Sequence, residues 1–298
     1  MSGAAARPSW FASFGSLPHL HFRRDKNFYR RYDSKWFVFA LALIALLHFG
    51  HVAPLMPELK LWYLAALPFV LYFHITCNVF VHNACHGSFP RAINRIMGEI
   101  CGFIVLSRFA SWQIVHERHH RFADDVEKDP HPLLPNYFKF TWRGITNVEK
   151  QLQTAYLEVY GDTEENRKRE RTRAMISFGT NFVLIAFFYR LLGPGGFLFC
   201  FLPAQILGWM HIMHFNWVTH NALARDGNYH PVNIDSGIYW LGNRIFFGIY
   251  MHGNHHKRAN VFNPLFWDDA KYGKGAALVK PYPVTSADAE GTSAAAAE

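Results

Sequence analysis

Four short histidine clusters hold the residues of this chain best suited to chemistry. They read His82-Asn83-Ala84-Cys85-His86, His116-Glu117-Arg118-His119-His120, Asn216-Trp217-Val218-Thr219-His220 and His252-Gly253-Asn254-His255-His256. Intervals of three and four residues put side chains on one face of a helix, so each cluster can aim its rings at one point. Imidazole suits iron, zinc, copper and nickel. A catalytic zinc takes about three protein ligands, whereas the clusters supply nine imidazoles and Asn216. That number suits two metal ions. Soluble di-iron bundles rely on carboxylates and Glu-x-x-His motifs, an arrangement this chain lacks. A di-iron centre here would be rich in neutral nitrogen, keep high positive charge, and bind and activate dioxygen. Reactive oxygen chemistry is what breaks an unactivated C–H bond of an alkyl chain.

Neighbouring residues divide into supporting and ordinary ones. Asp124, Asp125, Glu127 and Asp129 follow the second cluster, and metal-bound histidines commonly donate their second ring N–H to a carboxylate. One or two of these acids are expected in that role, the alternative being a solvated acidic loop. His131 reads as a supporting or structural residue, and His211 and His214 as packing or support, with ligation as their alternative. His19, His21, His48, His51, His74 and His230 read as ordinary core or surface histidines. The second cluster also satisfies His-Glu-x-x-His, the zinc-protease pattern with Glu117 as general base. That hydrolytic reading leaves the other three clusters unexplained. Metal storage or transport is the non-enzymatic alternative.

The elements that position these clusters are membrane-like. Of 298 residues, 50% are hydrophobic, 28 are Phe, and only 17% are charged, below the roughly 25% of soluble domains. Four apolar segments approach the roughly 20 residues of a spanning helix: 36–52, 61–81, 176–192 and 197–215. Short Pro- and Gly-rich turns, 53–57 and 193–196, join them into two antiparallel hairpins. Residues 93–112 and 237–250, apolar but interrupted by charges, read as interfacial helices. The expected architecture is therefore an all-α membrane protein of four transmembrane helices in two hairpins, with interfacial helices and a cytoplasmic histidine-rich cap. The chain divides into an N-terminal cytoplasmic segment, 1–34, a membrane domain, 35–281, and a disordered Pro-, Ala- and Ser-rich tail, 282–298. Residues 1–34 contain no early apolar core, so no cleavable signal is expected. Cys77, Cys85, Cys101 and Cys200 form no Cys-x-x-Cys pair and read as reduced, buried thiols.

The net charge of +8 is placed for a membrane rather than for nucleic acid. Arg23, Arg24, Lys26, Arg30, Arg31 and Lys35 precede the first span, and Arg167, Lys168, Arg169, Arg171 and Arg173 precede the third. The positive-inside rule then puts both termini and the central region in the cytoplasm. All four histidine clusters fall on that same side, as one shared site requires.

The clusters at 82–86, 116–120 and 252–256 resemble the three histidine boxes of the integral-membrane fatty acid desaturase and hydroxylase superfamily, and the resemblance extends over about residues 36–265. The run His116 to Phe122 with Asp129-Pro130-His131, and the Asn216 to His220 element, are similar to those of stearoyl-CoA-type desaturases. The resemblance implies a non-haem centre of two iron ions, dioxygen as co-substrate, and electrons from outside. It implies one iron on His82, His86, His116, His120 and one of His255 and His256. The second would lie on His119, His220, His252 and the other of that pair, with Asn216 acting through water. The sequence contains neither a cytochrome b5-like His-Pro-Gly-Gly motif nor a Gly-rich dinucleotide fingerprint. The expected donor is therefore ferredoxin, or cytochrome b5 with its reductase.

The expected substrate is a fatty acyl thioester, on coenzyme A or acyl carrier protein, or an acyl lipid, desaturated by removal of two hydrogens. Hydroxylation, acetylene formation and oxidative decarboxylation are alternatives at the same centre. Phe73, Phe80, Trp112 and Trp217 are candidate tunnel walls. Arg91, Arg95, Arg118, Arg121, Lys257 and Arg258 lie near the boxes, where they would grip substrate phosphates or an acidic carrier, or else lipid headgroups.

Overall fold

Apolar periodicity is realised as helix nearly throughout. The computed structural model describes residues 17–125, 127–131, 133–222 and 230–267; the tail expected from residue 282 lies outside them. Helices α1 (Pro18–Arg24) and α2 (Phe28–Phe49) open the described chain. A 3-10 turn, Leu61–Ala66, leads into α3 (Leu67–Cys85), followed by α4 (Asn94–Ile104) and α5 (Phe109–Phe122). Next come α6 (Tyr137–Thr146), α7 (Val148–Tyr160) and the long α8 (Glu164–Gly196). A π-helical turn, Phe197–Phe201, connects to α9 (Leu202–Trp217), and a second one spans Val218–Ala222. Short helices α10 (Ile238–Ile245) and α11 (His252–Lys257) complete the described order before a 3-10 turn at Pro264–Phe266. Extended pairing among the described residues is limited to one bridge, Asn233 with Met251.

Among the described residues three helical stretches are long and apolar enough to cross a membrane: Phe28–Phe49, Leu61–Cys85 and Glu164–His220. The first begins eight residues before the expected 36, because the basic stretch Arg30–Lys35 is itself helical. The third runs through the expected loop at 193–196, of which only Gly193 leaves helical geometry (φ 75°, ψ 172°). The chain nevertheless reverses there. Phe188 and Phe201 stack with centroids 4.3 Å apart, whereas 13 residues of straight helix would span about 20 Å. The expected interfacial stretches are shorter than read, appearing as α4, the start of α5, and α10.

Two kinds of contact hold these helices in register. The turn at Gly193 is bonded to the segment before the 3-10 turn, through Leu55 N to Leu191 O (3.0 Å), Met56 N to Leu192 O (2.8 Å) and Gly195 N to Met56 O (3.1 Å). Deeper in, Asp33 of α2 receives Arg108 at 3.0 Å and Arg173 of α8 at 3.2 Å. Arg173 also bonds Glu170 and Glu149, each at 2.7 Å. Buried charges are tolerated only when paired in this way. The network locks α2, α7 and α8 to the residue that precedes α5. Helix α5 in turn packs against α1, α3 and α7, so the helix that carries His116, His119 and His120 is fixed on several sides.

Candidate metal centre

Each histidine cluster sits at a helix terminus or in a short helix. His82 lies in the last turn of α3 and His86 is its C-terminal cap. Gly87, at φ +69°, then turns the chain away, a left-handed conformation natural to glycine. His116, His119 and His120 occupy the final two turns of α5, His220 the second π turn, and His252, His255 and His256 the helix α11.

These nine rings gather into two adjoining groups. In one, the ligating nitrogens of His82, His86, His116, His120 and His255 all lie within 4.8 Å of one another; in the other, those of His119, His220, His252 and His256 do so. Neighbouring residues part company: His119 and His120 fall in different groups, as do His255 and His256. The roughly 100° between successive helical side chains makes this possible. The groups touch, with His120 and His256 stacked at 4.3 Å between centroids.

The donor set fits cations. Nε2 of His86 lies 2.8 Å from Nε2 of His116, which lies 3.1 Å from Nε2 of His120, which lies 3.0 Å from Nε2 of His255. A neutral imidazole has one ring donor and one acceptor, so such a chain of nitrogens is poorly served by hydrogen bonds alone. Nε2 of His82, His119 and His220 is buried with no hydrogen-bond partner. An orphaned buried acceptor is costly, and a shared cation relieves several at once. Burial, with the neighbouring rings adding to it, holds His86, His116, His119 and His120 well below the usual imidazole range. The same holds for His252, His255 and His256. Neutral rings keep the lone pair that a metal requires.

Two of the four acids near the second cluster reach the centre. Asp129 accepts from His119 Nδ1 at 2.8 Å, and Asp124 from His220 Nδ1 at 2.9 Å. Each bond fixes a tautomer and turns Nε2 inward. Asp129 is itself oriented by the amides of Asp124 (2.7 Å) and His131 (2.8 Å). Burial pushes its carboxyl up to about 8, against the pull of those amides; a cation on His119 would favour the anion. The His131 ring lies 4.1 Å from that of His119 and forms a further potential ligand group with His119 and Asp129. Asp125 and Glu127 stay in the loop, where Asp125 accepts from the Glu127 and Lys128 amides.

The other expected site residues are spread more widely. Asn216 donates to Ile212 O at 2.9 Å, and its Oδ1 is buried without a hydrogen-bond partner. Trp112 stacks over His116 at 6.2 Å and 16°, with its Nε1–H likewise buried and unmatched. Trp217 is held by Leu134 O at 3.0 Å. Arg118 is buried and paired with Glu158, while Arg121 lies over the Phe122 ring at 5.1 Å. Arg95 pairs with Glu99 at 3.3 Å, and Arg258 Nε donates to Asn260. Arg91 and Lys257 are exposed. Glu117 turns toward α1, 3.8 Å from His19; burial pushes its carboxyl up to about 8. Sequence reasoning missed Tyr250, whose hydroxyl lies 3.4 Å from His211 Nε2 and 3.5 Å from His214 Nδ1, joining the two histidines read as packing or support. The i, i+3 spacing of the two histidines was the one visible sign of this contact.

All-helical architecture with membrane-length apolar helices and a buried, imidazole-rich cluster defines a membrane protein with a site compatible with metal. The fatty acid desaturase family model matches residues 59–261, a stretch that contains all four histidine clusters, and the chain belongs to that family. It is 29% identical over 150 residues to the sn-1 oleoyl-lipid 12-desaturase of Picosynechococcus sp. (strain ATCC 27264 / PCC 7002 / PR-6), a match covering 45% of this chain and 41% of that protein. No solved structure matches.

Proposed function

We propose that the protein is a membrane-bound, oxygen-dependent di-iron desaturase of fatty acyl chains. The observation that carries this reading is the pair of adjoining all-histidine groups. One iron would be held by His82, His86, His116, His120 and His255, the other by His119, His220, His252 and His256. When bound, the irons supply dioxygen activation. Desaturation of one CH2–CH2 unit consumes O2, two electrons and two protons and yields a CH=CH unit and two waters.

The chain's own residues bind, orient and exclude water. Asp124 and Asp129 hold His220 and His119 in the required tautomer. Phe215 packs its edge on His82 and His252, and Trp112 covers His116, giving an apolar flank suited to an alkyl chain. Positioning of a methylene there selects the bond. The named relative acts on an oleoyl lipid, which favours a lipid-borne acyl chain over a thioester. Electrons would come from ferredoxin, or from cytochrome b5 with its reductase. Glu117 faces α1 rather than the rings, which disfavours it as the general base of a protease.

The same reading takes the Gly193 reversal as dividing the long apolar stretch into two crossings, four in all. It places the termini and the centre in the cytoplasm, beside the basic segments before α2 and within α8. Expression of the wild-type chain, followed by metal analysis and lipid mass spectrometry, tests the proposal. Two irons per chain, one for each histidine group, and a new double bond formed only in air are expected. Turnover without oxygen, or a single zinc with no lipid change, would sink it.

A further inference from the structure

A groove of about 450 Å³ lies between α2 and α4, lined by Tyr32, Lys35, Trp36 and Phe39 from one helix and by Arg95, Glu99, Ile100 and Phe103 from the other. Its volume falls within the roughly 300–1,000 Å³ of small-molecule sites. The α2 residues follow i, i+3, i+4, i+7 spacing, which makes them one helical stripe. Both stripes change character in the same order along the chain, from polar and charged (Tyr32 and Lys35; Arg95 and Glu99) to apolar (Trp36 and Phe39; Ile100 and Phe103). The apolar end is an aromatic corner: Trp36 stacks on Phe103 at 6.1 Å, and Phe39 packs on the edge of Phe103 at 6.3 Å. At the polar end Glu99 is already engaged, accepting from the Tyr32 hydroxyl at 2.6 Å and from Arg95 at 3.3 Å. That leaves the exposed Lys35 to meet an anionic head.

The geometry points to one anionic glycerophospholipid seated in this groove, its phosphate at Lys35 and an acyl chain against Trp36, Ile100 and Phe103. Three observations converge on that occupant. The groove is amphipathic end to end, as the ligand is. It lies in the N-terminal half of a membrane-length helix, where basic residues meet anionic headgroups and aromatic rings mark the interface. It is also lined by no histidine of either group: Tyr32 meets α5 at the Ala110 amide, 3.3 Å away, about 9 Å along that helix from His116. The lipid braces α4 against α2. Helix α4 is tied to the first histidine pair through Asn94, which donates to Ala84 O at 2.9 Å, so bilayer composition reaches the centre without entering it. This inference does not rest on the desaturase reading.

The test uses the full chain in nanodiscs of phosphatidylcholine, with or without phosphatidylglycerol, released for native mass spectrometry. Wild type is expected to retain one phosphatidylglycerol in preference to phosphatidylcholine. Lys35→Glu should lower that retention about tenfold, since each basic residue near a headgroup matters on this scale. Trp36→Ala should lower it and Trp36→Phe restore it. Equal melting of wild type and Lys35→Glu in neutral discs shows that the variant folds. Equal retention by wild type and Lys35→Glu overturns the proposal, as does indifference to headgroup charge. Loss of acyl-chain oxidation by Lys35→Glu in neutral discs would make the groove a substrate route and overturn it too.

Discussion

His119 and its partner Asp129 show what a single residue contributes. The ring is fully buried, its Nδ1 is committed to the carboxylate, and its Nε2 faces the second histidine group. His119→Ala should abolish desaturation and lower iron content while the protein remains in the membrane. Asp129→Asn keeps the shape but weakens the hold on the tautomer; iron affinity should fall about 10–100-fold, measured by competition with a chelator. His48→Ala, at the exposed end of α2, should leave iron content unchanged. Much of this scale was legible in the sequence, because spacings of three and four residues reveal a shared face without any knowledge of the fold. Which acids reach which rings was not legible. Asp124 and Asp129 are separated from Asp125 and Glu127 only by loop conformation, including the positive φ of 65° at Asp124.

At the scale of elements, apolar length located the membrane-length helices but not their ends. Residues 28–35 look like a polar leader, yet they are helical because Asp33 is neutralised by Arg108 and Arg173, residues 75 and 140 positions away. No local pattern announces such a partnership. The reversal at 193–196 was visible as a Gly-Pro-Gly-Gly run, though it needs only one residue outside helical geometry. Gly193→Ala should destabilise the protein, since a positive φ with an extended ψ costs other residues about 1–3 kcal/mol and a Cβ there would lie 2.5 Å from Met56 O. Gly161→Ala shares the positive φ but meets nothing within 4 Å, so it should cost the backbone component alone. Thermal unfolding of the two purified variants separates the contributions.

The whole molecule is held by long-range ionic linkages as well as by apolar packing. Arg173→Met would leave Asp33, Glu149 and Glu170 without their shared cation. Removing one member of a buried charged set costs about 3–5 kcal/mol, so the yield of monodisperse protein on size exclusion should drop sharply. Adding Glu170→Gln should recover part of it. Iron binding should raise the unfolding temperature, and chelation lower it, because the ions would bind only the folded arrangement. The bulk character of the molecule, helical and membrane-like, followed from composition; the cross-chain network did not, because its members look like topogenic surface charge.

The alternation of neighbours between the two histidine groups has a mechanical result. Among the described residues neither group contains a carboxylate that could bridge to the other, so the distance between any two ions held there is dictated by backbone. A small rotation of α5 about its axis would swing His119 and His120 together and shift donors of both groups in one motion. Helices α5 and α11 each serve both groups, so turning either one gears the two halves together.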